Sequence, residues 1–467
     1  MIHQPTIIQG GMGVAVSGWQ LARSVSLTGQ LGVVSGTALD MVLARRLQLG
    51  DPGGDIRRAM AAFPAPDVAE RILAAYFVDG GIDDGRSFKA VPVFTAEPHR
   101  RSLDLATMGG FVEVFLAKEG HHGIVGINFL EKIQMPTPPT LYGAMLAGVD
   151  VVLVGAGIPR EIPQLLDGLA EHEPVALPLH VAEGEGVALA FDPRSVVPAS
   201  GAPLARPMFL AIIASTALAI SLGRKTPGVD GFVIEGPTAG GHNAPPRGAG
   251  ELVGGEPVYG PRDEVDLEKI SELGLPFWLA GGQATPERLR GAREAGAAGI
   301  QVGTAFAFCE DSGMAPELRA RVLADVEAGR VTVFTDPLAS PTGFPFKVVA
   351  LEGTLSDDEI VQARERRCDL GYLREVYVTP QGGIGYRCPA EPVEDYVRKG
   401  GDPAKTEGRK CVCNGLAATV GLGQRRHGAE EPPIVTAGND LTDLGRLLGP
   451  DRHTYTAADM VAYLLDG

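Results

Sequence analysis

The stretch Leu273-Gly-Leu-Pro-Phe-Trp-Leu-Ala-Gly-Gly-Gln-Ala-Thr-Pro-Glu-Arg-Leu289 contains, in order, an apolar strand, a tight turn and the start of a helix. The apolar run is Phe277 to Ala280, and the pair Gly281-Gly282 follows it directly. Thr285 is a favourable N-cap, and Pro286 fits the first helical position. The segment therefore predicts one strand–turn–helix unit of a parallel α/β fold.

Two neighbouring segments repeat this pattern. The segment Ala297 to Ala307 contains a further strand, which ends in Gly303-Thr304. Gly231-Phe-Val-Ile234 is a buried strand that leads into Ala239-Gly-Gly-His242. Glycines let another molecule approach the backbone closely, and a histidine can exchange a proton near neutral pH. In α/β barrels the site lies at the carboxyl ends of the strands, and a phosphate commonly binds after the last two. The order of these loops predicts such a site.

Working outward, the sequence predicts five earlier strands: Thr6 to Gln9, Leu31 to Ser35, Ile124 to Phe129, Val149 to Val154 and Phe209 to Ile213. Eight apolar strands that alternate with helices favour a closed (β/α)8 TIM barrel over residues 1–350. From the pattern alone, a doubly wound open sheet is the alternative. Insertions are expected near residues 37–90 and 175–205, and residues 351–467 are expected to form a C-terminal accessory extension.

Composition narrows the class of protein. The chain has 467 residues, is 45% hydrophobic and carries a net charge of −16, which argues against binding to nucleic acid or to an anionic membrane. The N-terminal residues do not resemble a secretory signal, and the longest apolar run, residues 209–220, is too short to span a membrane. An odd number of cysteines, five, fits a reducing cytoplasm. We expect a cytoplasmic protein.

Four motifs together resemble one family. Gln4-Pro-Thr-Ile-Ile-Gln-Gly-Gly-Met-Gly-Val14, Ala239-Gly-Gly-His242, Ala280-Gly-Gly282 and Gln301-Val-Gly-Thr304 are similar to those of nitronate monooxygenases, formerly called 2-nitropropane dioxygenases. The same motifs occur in FMN-dependent enoyl-ACP reductases and in trans-acting enoyl reductases. The resemblance covers roughly residues 1–350. It departs from the family where Gly236-Pro-Thr238 separates a glutamate from the Ala-Gly-Gly-His motif.

The resemblance implies that FMN binds across the mouth of the barrel. Its phosphate is expected at the backbone N–H groups of the two glycine turns, and its ring against the N-terminal motif. The residues implied in cofactor binding are Gln9, Gly10, Gly11, Met12, Asn128, Gly155, Gly241, Ala280, Gly281, Gly282, Gln301, Gly303 and Thr304. His242 is the expected catalytic residue, because it would face the substrate and handle a proton.

The resemblance implies a reaction but leaves alternatives open. The first is oxidation of alkyl nitronates by O2. The second is NAD(P)H-dependent reduction of an enoyl thioester, with an acyl carrier protein as a partner. A third reading is a flavin-binding or phosphate-binding barrel without turnover. The expected partners are a small-molecule substrate, O2 or NAD(P)H, and a second copy of the chain in a homodimer.

Four of the five cysteines lie in the extension: Cys368, Cys388, Cys411 and Cys413. Four thiolates could bind zinc or an iron–sulfur cluster. The usual paired C-x-x-C spacing is absent, however, and Cys411-Val-Cys413 is too close for the common zinc knuckle. The spacing therefore predicts reduced, partly buried cysteines and no metal.

Overall fold

A closed ring of eight parallel strands forms the centre of the molecule. The computed structural model describes residues 4–198, 201–248, 250–426, 428–449 and 452–466. The strands are β1 (Ile7–Gln9), β2 (Gly32–Ser35), β3 (Val125–Leu130), β4 (Val151–Gly155), β5 (Met208–Ile213), β6 (Gly231–Glu235), β7 (Phe277–Ala280) and β8 (Gly299–Val302). Each pairs with its neighbour in the chain, β8 pairs with β1, and an Ile8–Leu31 bridge joins β1 to β2. The predicted (β/α)8 barrel is confirmed.

Sixteen α-helices surround or extend the barrel within the described part of the chain. They are α1 (Trp19–Leu27), α2 (Leu39–Gln48), α3 (Asp55–Ala61), α4 (Pro66–Tyr76), α5 (Arg100–Lys118), α6 (Thr137–Leu146), α7 (Ile162–Ala170), α8 (Thr216–Lys225), α9 (Leu267–Ser271), α10 (Pro286–Glu294), α11 (Thr304–Ala307), α12 (Pro316–Glu327), α13 (Asp358–Ala363), α14 (Val393–Arg398), α15 (Val412–Thr419) and α16 (Ala457–Asp466). Thr285 caps α10 by accepting a hydrogen bond from the Arg288 N–H (3.3 Å), as its sequence predicts.

Apolar side chains fill the interior of the barrel at its amino-terminal end. Alternate residues of the strands point inward and form a cluster that includes Ile8, Leu153 and Trp278. The Trp278 indole N–H donates to the Pro5 carbonyl at 2.8 Å, just before β1. Because this end is filled, a ligand can enter only at the carboxyl ends of the strands, which is the general arrangement in these barrels.

Helix α5 was not predicted from the sequence. Fourteen of its 19 residues are buried, so it lacks the polar face that marks an amphipathic helix. Its glycines allow close helix crossings. A Cβ at Gly110 would lie 2.1 Å from the Thr140 carbonyl oxygen, and a Cβ at Gly143 of α6 would lie 1.8 Å from that of Thr107. Helices α5 and α6 therefore meet backbone to backbone.

Antiparallel hairpins decorate the barrel: Val175–Pro178 with Ala188–Phe191, Leu252–Val253 with Glu256–Pro257, Val333–Asp336 with Phe346–Val349, Glu375–Val378 with Ile384–Arg387, and Arg425–Arg426 with Ala429–Glu430. The insertion expected near residues 175–205 contains the first of these hairpins. Short 3-10 helices lie at Pro193–Ser195, Pro261–Asp263, Pro403–Thr406 and Asn439–Arg446. Among the described residues, no helix has the length and apolar character needed to cross a bilayer.

The residues after 350 pack directly on the barrel. The Tyr372 hydroxyl donates to the Asp40 carboxylate of α2 at 2.7 Å, and the Arg45 side chain donates to the Leu422 carbonyl. Ala315 N–H donates to the Thr419 carbonyl at 2.9 Å. Side chains of this region belong to the same apolar core as the barrel helices. The extension therefore lies over the barrel and is not a separate appendage.

Candidate functional site

A large cavity lies at the carboxyl ends of the strands. Its empty volume is about 1560 Å³, measured out to the solvent at its open side. Residues that follow or end each of the eight strands line its floor. Its other wall comes from the extension, through residues such as Tyr372, Leu416, Thr436 and Asp440. The barrel loops and the extension thus enclose one space, which is the natural candidate for the site.

The structure brings nearly all the predicted site residues together around this cavity. Those that line it are Gly10, Gly11, Met12, Asn128, Gly155, Gly241, His242, Ala280, Gly281, Gly282, Gln301, Gly303 and Thr304. Gln9 does not line it. Its side-chain oxygen accepts the Val33 N–H at 2.9 Å and its amide donates to the Gly10 carbonyl. Gln9 therefore links β1 to β2 inside the barrel.

His242 is a neutral imidazole on the cavity wall. Its Nε2 lies 2.7 Å from Ser340 Oγ, and its ring meets Phe346 edge-on at 4.8 Å between ring centroids. Burial lowers the pKa of His242 from 6.5 to about 4, because the charged form would lose its hydration. At neutral pH the side chain is therefore unprotonated.

The loop that carries His242 is fixed on both sides by later parts of the chain. The Gly241 N–H donates to Thr436 Oγ1 at 2.9 Å, and the Gly241 carbonyl accepts the Lys347 N–H at 3.0 Å. A Cβ at Gly240 would lie 2.8 Å from the Ala437 carbonyl carbon. The small residues of this motif thus serve close packing against the extension, and they hold the imidazole in place.

The two glycine turns follow paired strands and line the cavity side by side. Gly281 and Gly282 have φ angles of 85° and 65°, a conformation that favours glycine. A Cβ at Gly303 would meet only Met12 Sδ, at 3.8 Å, so the backbone there is open to a bound group. Beside them, Gln301 Oε1 is buried and has no hydrogen-bond partner among the described residues. A buried acceptor without a partner is costly, which points to a ligand that donates to it.

Glu235 is a titratable residue that the sequence reasoning did not assign to the site. It ends β6 and lines the cavity. Burial raises its pKa from 4.5 to about 7, since no compensating interaction opposes the loss of hydration. The signal in the sequence was an acidic residue directly after an apolar strand. Near neutral pH this carboxyl group can therefore give or take a proton.

The extension also places Asp440 at the cavity, a residue that sequence reasoning missed. Thr304 hydrogen-bonds to Asp440, and its hydroxyl also accepts the Gly438 N–H at 2.9 Å. Burial raises the pKa of Asp440. The Thr304 hydroxyl is thus occupied by the extension, which leaves its backbone N–H as the group it can offer to a ligand. No local pattern links residues so far apart in the chain.

The four cysteines of the extension meet around a second, small cavity. Cys368, Cys388, Cys411 and Cys413 all line it. Their spacing along the chain gave no indication of this, because the segments between them fold back in hairpin and helix. Within the described ranges, no three His, Cys, Asp or Glu side chains have the arrangement that a single metal ion needs.

Residues 188–339 match the family model for nitronate monooxygenase. This segment contains β5 to β8, the His242 loop and both glycine turns, so the resemblance stated from the motifs is confirmed there. The barrel, its cavity and this match define the class of protein: the chain is an enzyme, an oxidoreductase that is similar over residues 188–339 to nitronate monooxygenases. No curated protein sequence matches the chain significantly.

Three solved structures are similar in fold over nearly the whole chain, at TM-scores below 0.5. FabK from Thermotoga maritima is 16% identical, with 99% of this chain and 92% of that chain covered and a TM-score of 0.49. Nitroalkane oxidase from Streptomyces ansochromogenes is 16% identical, with 100% and 96% covered and a TM-score of 0.45. The enoyl reductase domain of MlnA from Bacillus amyloliquefaciens is 11% identical, with 99% and 95% covered and a TM-score of 0.47.

Proposed function

We propose that the protein is an FMN-dependent nitronate monooxygenase that oxidises alkyl nitronates with O2. The observation that carries the proposal is His242, a neutral imidazole on the wall of the cavity. A base of this kind can remove the proton next to a nitro group when the substrate arrives as the neutral nitroalkane. The family match over residues 188–339 supports the same chemistry.

The residues of the cavity fit FMN. Gly303 exposes backbone without a side chain, and Gly281 and Gly282 follow the neighbouring strand, an arrangement that suits a phosphate group. Gln301 Oε1 lacks a donor, and a flavin ring or ribityl chain offers N–H and O–H groups. Asn128 presents an amide on the opposite side of the cavity floor. Bound FMN would supply the electron transfer between substrate and O2.

The chain's own residues would bind the substrate and move its proton. Ser340 holds His242 through Nε2, which leaves Nδ1 to accept the proton from the substrate carbon. Phe346 packs against the ring and limits its rotation. The extension covers the mouth and keeps water from the reacting groups. Proton transfer of this kind typically contributes about 10²–10⁴-fold to the rate.

Glu235 supports a second candidate, the FMN-dependent NAD(P)H enoyl-thioester reductase. That reaction needs a group that donates a proton to the substrate carbon, and His242 is poorly suited because its pKa is about 4. Glu235, with a pKa of about 7, is half protonated at neutral pH. In this case NAD(P)H replaces O2, and an acyl carrier protein delivers the substrate.

Two further proposals concern the cellular location and the oligomeric state of the enzyme. All five cysteines are unpaired, which fits the cytoplasmic location expected from the sequence. We retain the homodimer as the proposed assembly.

The two reactions are separated by anaerobic reduction of the purified yellow protein. An alkyl nitronate is added to one sample and NADPH or NADH to another, and the flavin absorbance is followed. We expect rapid bleaching by the nitronate and little response to the nicotinamides. Bleaching by NAD(P)H alone, reversed by an enoyl thioester, would replace the proposal with the reductase.

A further inference from the structure

The cysteine cavity suggests a second cofactor site. It lies in the extension and is lined by Cys368, Cys388, Cys411 and Cys413. Each thiol interacts with at least one of the other three thiols. Cys368 and Cys388 hydrogen-bond to each other. Cys411 and Cys413 both interact electrostatically with Cys368, and Cys388 interacts with Cys413. Four sulfurs from three separate segments thus face one enclosed space.

We propose that these four cysteines ligate an iron–sulfur cluster of the [4Fe–4S] type. This proposal goes beyond the flavin chemistry above and replaces the metal-free extension expected from the cysteine spacing. Four cysteine thiolates are the standard ligand set of such a cluster. On assembly, two ferrous ions, two ferric ions and four sulfides form the cluster core, four thiol protons leave as four iron–thiolate bonds form, and no atom changes oxidation state.

The arrangement of the cysteines is not that of a site for a single metal ion. The empty volume of the cavity is about 280 Å³, counted to the neighbouring solvent. A single zinc ion pulls its four ligands into a tight tetrahedron, whereas a cluster keeps them apart because its own irons and sulfides lie between them. The described cysteines do not show the arrangement of a single-ion site. The lining therefore does not match a single ion, whereas four cysteine ligands are what a [4Fe–4S] cluster requires.

Unpartnered polar atoms surround the same cavity. Four buried side-chain atoms that lack hydrogen-bond partners in the described part of the chain belong to Arg364, Arg367, Glu391 and Asn414. Arg367 and Asn414 line the cavity, Arg364 interacts with Cys411, and Glu391 with Cys368. Such atoms are costly in a folded protein, and their concentration here points to a missing group.

The charges around the thiols also suit thiolate ligands. The side chain of Arg364 is only 9% exposed, forms an ion pair with Glu431 and also interacts favourably with Cys411. The Asn414 amide donates to Cys411 Sγ at 3.4 Å, and Cys411 is the N-cap of α15, near the positive end of its dipole. Of the facing carboxylates, Glu391 is paired with Lys399 at 2.7 Å. Hydrogen bonds and positive charge of this kind stabilise the anionic cluster.

The four cysteines would bind the cluster as thiolates. A bound metal deprotonates its thiols outright. The cluster would also lie beside the catalytic cavity, since Leu373, Val412 and Cys413 line both spaces.

The test is the iron and acid-labile sulfide content of the full-length protein. The protein is isolated without oxygen and reconstituted with equal amounts of ferrous and ferric iron and with sulfide. We expect about four irons and four sulfides per chain, and an electron paramagnetic resonance signal after reduction with dithionite. Cys388→Ser and Cys413→Ser should each lose most of the iron and sulfide. Cys309→Ser is the matched control, because Cys309 is buried in the barrel and lies outside this cavity.

Circular dichroism melting of each variant before reconstitution separates loss of the cluster from loss of the fold, and Cys368→Ala provides a further variant. Less than about one iron per reconstituted wild-type chain would overturn the proposal. So would stoichiometric zinc in place of iron, or iron that persists in the folded cysteine variants. The iron and sulfide assays do not depend on flavin, so their outcome is distinct from that of the proposed reaction.

Discussion

The pH dependence of catalysis tests the role of His242 directly. As a base, His242 must be unprotonated, so activity on a neutral nitroalkane falls as the pH drops through its pKa. With the pKa at about 4, the neutral fraction at pH 5 is about 0.9. With the ordinary value of 6.5 the fraction would be about 0.03. We therefore expect kcat/KM at pH 5 to remain near its plateau, roughly 30-fold above the value for an unperturbed histidine.

The assay measures kcat/KM for a neutral nitroalkane between pH 4.5 and 8. The same nitroalkane supplied as its preformed nitronate is the internal control, because that substrate needs no proton removal. His242→Gln should lower kcat/KM for the nitroalkane by about 10²–10⁴-fold and affect the nitronate much less. An acid limb centred near pH 6.5 to 7 in the wild type would refute the desolvated His242 base. If Glu235→Gln then removed that limb, the base would be Glu235.

Three further predictions follow from the cavity and the helix packing. The purified protein should be yellow and release FMN on heating, and release of FAD, or failure of FMN to bind, would contradict the cofactor assignment. Glu235 has a pKa raised from 4.5 to about 7, so its burial costs stability as the pH rises through that window. Glu235→Gln should therefore stabilise the flavin-free protein by about 2 kcal/mol more at pH 8 than at pH 5.5, and equal effects in urea unfolding at both pH values would disprove this. Gly143→Ala should lower the free energy of unfolding by about 1–3 kcal/mol or more, because its Cβ would lie 1.8 Å from the Thr107 carbonyl oxygen. Gly291→Ala in α10, where the Cβ meets nothing within 4 Å, is the control and should be neutral or stabilising by about 0.5–1 kcal/mol.

The sequence alone determined the barrel and the floor of its site. Strands such as β7 and turns such as Gly281-Gly282 are encoded by neighbouring residues, and their order along the chain matches their order around the barrel. Parallel strands bring their carboxyl ends to one rim, so motifs far apart in sequence were expected to meet. Helix α5 was not predicted, because it is buried on nearly all sides and its sequence has no amphipathic pattern.

Only the tertiary structure decided what covers that floor. The contact of Gly241 with Thr436 joins segments 195 residues apart, and no local periodicity reports it. The same is true of Cys388 and Cys413, whose approach depends on how a hairpin and a helix pack. The protonation states of His242 and Glu235 depend on burial as well as on residue type. Local patterns therefore fix elements and their order, whereas burial and long-range packing fix the chemistry of the residues that those elements carry.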